Sequence, residues 1–350
     1  MASDLIELER RAQELLDPGV YGFFAGGADE EVTLAANLAA WTRLRLRPHV
    51  LRDVSSVATA TTLLGQPLPT PFLVAPMAYH RLAHPDGEVA TAAGAARAGV
   101  PLVASTQASV SLEDTAAAEP EAPRWFQLYV HRDRGYAAEL VHRAAAGGYR
   151  ALVLTVDLAA YGNRLRDVRN EFKLPSWLRI ANAADRFNDD DDDPVSIASQ
   201  FDPGLSPDVI GWLRELEDLP VVVKGVLRGD DAVACLDAGA SAVIVSNHGG
   251  RQLDGAVATA DALPEVVAAV GGRAEVYVDG GVRRGTDVLK ALALGARAAL
   301  VGRPVIWALA TGGAEGVQAV LDGLRAELER AMMLCGTASL DALTPDLVVR

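Results

Sequence analysis

From Phe72 onward the chain repeats one pattern: a short apolar run, a polar tip, then an alanine-rich stretch of helical length. The apolar runs are Phe72–Ala75, Pro101–Ala104, Trp125–Tyr129, Ala151–Thr155, Val221–Lys224, Ala242–Val245, Glu275–Val278 and Ala298–Val301. Helices fit between them, for instance over Gly87–Ala98, Tyr136–Ala146, Asp230–Ala238 and Thr286–Leu294. Eight such units predict an α/β chain folded as a (β/α)8 TIM barrel rather than an open sheet. No Gly-x-Gly-x-x-Gly occurs, which argues against a Rossmann site for a nicotinamide cofactor.

Residues 1–71 precede the rhythm and form an N-terminal segment packed on the barrel of residues 72–350. Asp4 to Leu16 has helical spacing and stops at Asp17-Pro18-Gly19, read as a breaker. A second helix is expected from Ala28 to Trp41, and Arg47–Pro71 as a small β-hairpin crossing the barrel's N-terminal end. One insertion, 173–207, interrupts the rhythm after strand four and contains the solvated acidic run Asp189–Asp193. An insertion there is either a mobile lid or plain disorder.

A chain of 350 residues that is 50% apolar can bury a large core, and its net charge of −14 argues against nucleic acid or an anionic membrane as partner. Cys235 and Cys335 read as buried, reduced thiols, with neither metal spacing nor a disulfide framework. The acidic start, Met1–Arg10, is no signal peptide, and no apolar run spans a bilayer. A cytoplasmic protein is the expectation.

Barrel enzymes place their chemistry at the C-terminal ends of the strands. Those ends here carry Pro76-Met77-Ala78, Ser105, Gln127 with Tyr129, Thr155 with Asp157, Lys224, Ser246 with His248, Asp279, and Gly302-Arg303. In Ser246-Asn247-His248-Gly249-Gly250-Arg251, an imidazole can take a proton while a guanidinium holds a carboxylate beside it. The intervening glycines let backbone approach a flat ligand. After strands seven and eight, Asp279-Gly280-Gly281-Val282-Arg283 and Gly302-Arg303 offer N–H donors and charge for a phosphate.

These residues resemble the FMN-dependent 2-hydroxy acid oxidases and dehydrogenases over almost the full length. The most specific matches are Ser-Asn-His-Gly-Gly-Arg-Gln-Leu-Asp (246–254) and Asp-Gly-Gly-Val-Arg-Arg-Gly-Thr-Asp-Val (279–288). Phe126-Gln127-Leu128-Tyr129, Leu154-Thr155-Val156-Asp157, Arg164 and His-Pro-Asp-Gly-Glu (84–88) match as well. The resemblance implies FMN as cofactor, a small 2-hydroxy acid and O2 as reactants, and a homotetramer. It implies that His248 removes a proton, that Asp157 stabilises the imidazolium, and that Arg164, Arg251 and Tyr129 hold the substrate. Lys224 would face the flavin edge that gathers negative charge. The Ala78 backbone, Ser105, Gln127, Thr155 and Ser246 would line the flavin and ribityl chain, and Asp279, Gly281, Arg283, Gly302 and Arg303 the ribityl-phosphate site.

Departures from the family pattern bear on substrate. Phe23 stands where a tyrosine hydroxyl commonly binds the substrate carboxylate, a loss on the order of 1.5–3 kcal/mol if unreplaced. Gln107 stands where glycolate oxidase-like members carry tryptophan, and Tyr161 can wall the pocket or simply pack in its loop. Phenylalanine at that position is shared with hydroxymandelate oxidases, so the expected substrate is an aryl (S)-2-hydroxy acid such as mandelate or 4-hydroxymandelate. The alternatives are small aliphatic acids such as lactate and glycolate, or a dehydrogenase with a quinone or protein acceptor. A Schiff-base aldolase using Lys224 and a non-catalytic flavin-binding module are the competing classes.

Overall fold

The computed structural model describes residues 4–183 and 194–350. Among them, eight parallel strands close into one barrel: β1 (Phe72–Val74), β2 (Leu102–Ser105), β3 (Arg124–Leu128), β4 (Leu152–Thr155), β5 (Val221–Val226), β6 (Ala242–Val245), β7 (Glu275–Val278) and β8 (Ala298–Val301). Sequential strands are neighbours, and β8 closes the ring on β1 through Ala299–Val301 against Phe72–Val74. Every expected strand is present, three with the expected bounds and five with an end shifted by a residue or two. The strands lack polar alternation because both faces are buried. Leu73, Val103, Trp125, Val153, Val222, Ile244, Tyr277 and Leu300 form one cluster inside the ring, while their sequence neighbours pack outward against the helices.

The expected hairpin exists over Thr61–Leu63 and Gln66–Leu68, and it plugs the barrel's N-terminal end. Leu63 and Leu68 are buried in the inner cluster, and the Leu64 N–H donates to Glu275 at the start of β7. The remainder of Arg47–Pro71 lies outside that hairpin.

Three helices precede it: α1 (Leu5–Leu15), α2 (Pro18–Ala25) and α3 (Val32–Arg43). The reading of Asp17-Pro18-Gly19 as a plain breaker needs correction, because it ends α1 and also begins α2. Asp17 caps α2 by accepting from Gly19 N at 2.8 Å, and Pro18 occupies the first turn, where its missing N–H costs nothing. Helix α3 starts later than Ala28 because its cap comes from far along the chain. The Asp254 carboxylate accepts from Val32 N (3.2 Å) and Thr33 N (2.7 Å).

Around the 173–207 insertion, the described flanks are packed against the barrel. Leu174, Leu178 and Ile180 are buried, the Ala181 N–H donates to Ala108 O, and the Asp202 N–H donates to Val130 O. Asp189–Asp193 lie outside the described residues. Both cysteines are free thiols, with Cys335 buried as expected but Cys235 only partly so. Among the described residues no helix is long and apolar enough to cross a membrane, and no group of His, Cys, Asp and Glu is placed to hold a metal.

Candidate active site

At the end of β6 three successive residues, His248, Gly249 and Gly250, adopt left-handed backbone with φ of 57, 64 and 76°. For His248 this is an uncommon conformation that surrounding contacts must hold. The Ser246 hydroxyl accepts from His248 N at 3.1 Å. Asn247 forms a reciprocal amide pair with Asn37 of α3, both bonds 2.8 Å, and donates as well to Val257 O. Any side chain at Gly250 would strike the backbone of Leu34, so α3 packs directly on this loop.

The imidazole faces the cleft between two partners. Its Nδ1 lies 2.9 Å from Asp157 Oδ1 and its Nε2 lies 3.3 Å from the Tyr129 hydroxyl. Burial opposes the Asp157 charge, but His248 and Lys224 together hold the carboxyl below its usual range. A charged carboxylate only accepts, so Nδ1 carries the proton and Nε2 is left as an acceptor. Burial first, and Lys224 second, keep His248 below its ordinary value of 6.5, with Asp157 opposing them. The resting ring is therefore neutral and able to take a proton. Asp157 approaches this closely because β5 bulges at Gly225 (φ 112°), where a Cβ would sit 2.7 Å from Asp157 Cβ.

Beside this base stand two guanidinium groups, Arg164 and Arg251, with the Phe23 ring packed against both at 6.0 and 5.1 Å. Arg251 donates to Phe23 O (2.6 Å) and Gly26 O (2.9 Å). Arg164 donates to the Tyr161 hydroxyl and stacks 4.0 Å above that ring, while its Nε is buried without a partner among the described residues. Burial first, then the like charge of Arg164, pushes Arg251 from 12.5 down to about 10. Two crowded, desolvated cations favour an anion between them.

Across the cleft, Lys224 Nζ sits 3.6 Å from Asp279 Oδ2, both nearly inaccessible, and Asp279 Oδ1 has no partner among the described residues. Next to them, Gly280 and Gly281 take φ of 85 and 81° and pack so closely on Thr259, Asn37 and Trp41 that a Cβ at either would clash. The Trp41 indole donates to Gly280 O at 2.8 Å. Arg283 and Arg303 line the same end. Arg303 is held well below its usual range by burial first and then by Arg251 and Arg283. Its guanidinium donates to Phe24 O, Gly26 O and Gly249 O, tying α2 to the β6 loop. None of Arg164, Arg251, Arg283 and Arg303 forms an ion pair among the described residues. Four such cations around one cleft, in a chain of net charge −14, suit a ligand pair bearing a phosphate and a carboxylate.

The cleft has a volume of about 1040 Å³, counting its open mouth, and most of the expected residues line it. These are Phe23, Ala78, Ser105, Gln107, Tyr129, Tyr161, Arg164, Lys224, His248 and Arg251, joined toward the loops after β7 and β8 by Asp279, Gly281, Arg283, Gly302 and Arg303. Asp157, Gln127, Thr155 and Ser246 are not among the lining residues. They brace those that are: Ser105 donates to Gln127 Oε1, and Gln127 donates to the Thr155 hydroxyl. The His-Pro-Asp-Gly-Glu motif is also structural. Buried Glu88 accepts from His80 N, Ser109 N and the Ser109 hydroxyl, joining the loops after β1 and β2.

Sequence reading missed Tyr79 and Phe201 in the wall, and Asn37 and Trp41 behind it. Tyr79 directly follows the strand-tip residues Pro76-Met77-Ala78 and was within reach. Phe201, stacked on Tyr129 at 4.6 Å, and Asn37 carry no local signal.

Fold and site together are those of a (β/α)8 barrel enzyme with a buried base and a cationic cleft suited to anionic ligands. The model of the FMN-dependent dehydrogenase family matches residues 12–350, and the chain belongs to that family. An L-lactate oxidase of Nostoc sp. is 50% identical over 347 residues, covering 96% of this chain and 95% of the relative. The human 2-hydroxyacid oxidase 1 is 46% identical over 351 residues, covering 98% and 95%. Among solved structures, a mandelate oxidase with (S)-4-hydroxymandelic acid superposes with a TM-score of 0.92 at 46% identity, covering 98% and 97%. The chain is an FMN-dependent 2-hydroxy acid oxidase.

Proposed function

We propose that the substrate is an aryl (S)-2-hydroxy acid of the mandelate type, oxidised to the 2-oxo acid with O2 as final acceptor. The observation that carries this is the wall of the cleft. Phe23, Phe24, Tyr79, Tyr129, Tyr161 and Phe201 all line it, in a chain only 5% aromatic. Aromatic faces around a narrow site match a planar ring better than a methyl group. The mandelate oxidase likeness supports the same reading.

The residues present fit FMN. Asp279 Oδ1, without a partner among the described residues, and the Gly280-Gly281 turn lining the cleft would meet its polar chain, and Arg283 and Arg303 its phosphate. When bound, FMN supplies the two-electron acceptor for the substrate's α-carbon. Arg164 and Arg251 orient the substrate by its carboxylate, and the Tyr129 hydroxyl holds the substrate hydroxyl near His248. His248 Nε2 keeps the proton released during oxidation, and Asp157 stabilises the resulting imidazolium. Lys224 would supply positive charge at the edge of the bound flavin.

Anaerobic mixing of the yellow enzyme with glycolate, lactate, mandelate and 4-hydroxymandelate tests the substrate, with flavin bleaching as the signal and admission of air as the second step. The aryl acids are expected to bleach it with the highest kcat/KM, and air to restore the colour. A higher kcat/KM with lactate or glycolate would overturn the aryl reading. Failure to recolour in air would overturn O2 as acceptor.

A further inference from the structure

Tyr79 follows β1 in left-handed backbone (φ 59°), with its N–H donating to Gln107 O at 3.2 Å. The residue is 1% exposed, and its ring lies 6.0 Å from Phe23 in the cleft wall. Its hydroxyl has no hydrogen-bond partner among the described residues. The other phenols of the wall are engaged, since Tyr129 meets His248 Nε2 and Tyr161 accepts from Arg164. Tyr79 lines the cleft together with Phe23, Tyr129, Tyr161 and Arg164, at the end where the two guanidinium groups stand. A buried hydroxyl without a partner is costly unless a ligand meets it.

We propose that Tyr79 is a specificity-determining residue whose hydroxyl hydrogen-bonds a polar substituent on the substrate's ring, favouring 4-hydroxymandelate over mandelate. This rests on the aryl reading above. Arg164 and Arg251 clamp the carboxylate, and Tyr129 and His248 take the α-hydroxyl. The remaining wall, where Tyr79 is bonded to the loop of Gln107, faces what is left of the substrate. A ring hydroxyl supplies both a donor and an acceptor to a phenol that lacks either. A site built to bond a hydroxyl discriminates against the analogue without one.

The test compares kcat/KM for (S)-4-hydroxymandelate and (S)-mandelate in the parent and in Tyr79→Phe, with matching dissociation constants for the corresponding 2-oxo products. The parent is expected to prefer the hydroxylated acid, and Tyr79→Phe to lower that ratio about tenfold, chiefly through KM and product affinity. A ratio that does not move, or an equal loss for both acids, would overturn the assignment while leaving the aryl reading intact. A parent that turns over lactate but neither aryl acid would bring down the aryl reading and this inference together.

Discussion

At the N-terminal end of the barrel, Leu63 and Leu68 of the hairpin fill the ring against Leu73, Trp125 and Tyr277 in one hydrophobic cluster. At the C-terminal end, about 1040 Å³ of cleft is bordered by four arginines that form no ion pair among the described residues, by Lys224, and by Asp279, Arg164 and Tyr79, each with a buried polar atom that has no partner among those residues. One end is assembled for stability, whereas the other holds charges whose desolvation is offset when ligands arrive. Substitutions at the two ends should therefore separate folding from chemistry.

The sharpest break comes from His248→Ala. It is expected to bind FMN and keep the yellow colour, with a melting temperature close to the parent's. Its substrate-driven flavin reduction in stopped flow should fall by about 10³-fold. Reduction at the parental rate would remove His248 from the role of base. The converse is Leu63→Ala at the plug. There, denaturant unfolding should show a loss of about 2–5 kcal/mol, with kcat/KM of the folded fraction unchanged. If activity fell while stability held, the division between the two ends would fail.

A subtler effect is expected from pH. Burial and Lys224 place the parent's His248 below 6.5, so kcat/KM should rise with pH through a pKa under that value and then level off. The Asp157 carboxylate is the group that raises His248. Removing its charge in Asp157→Asn should move the rising limb to lower pH and depress the plateau about tenfold, because a weaker base remains. A limb displaced to higher pH would contradict the assigned electrostatics.

Much of the C-terminal rim was legible because strand period and strand ends are local properties. His248, Arg251, Lys224, Asp157 and Asp279 each sit within a few residues of an apolar run, and the barrel brings such positions onto one rim. What lay hidden came from elsewhere in the chain. Helix α2 was concealed because Asp17-Pro18 reads equally as a stop and a start. Asn37 and Trp41 look like ordinary residues of a surface helix, and only the fold shows them meeting Asn247 and Gly280. Gln127 and Thr155 bond to Ser105 and to each other, a linkage between three strand tips that strand period alone does not reveal.

The Asn37–Asn247 pair joins positions 210 apart in sequence. Contacts of such separation carry a large loop-closure cost and form late in folding. The turn at His248, tied locally through Ser246, gains the Asn37 contact only when α3 docks on a barrel whose sixth strand is already in place. On the ribosome the first helices must wait for most of the chain to emerge before the catalytic loop can set. A partly synthesised molecule is thus unable to position its base.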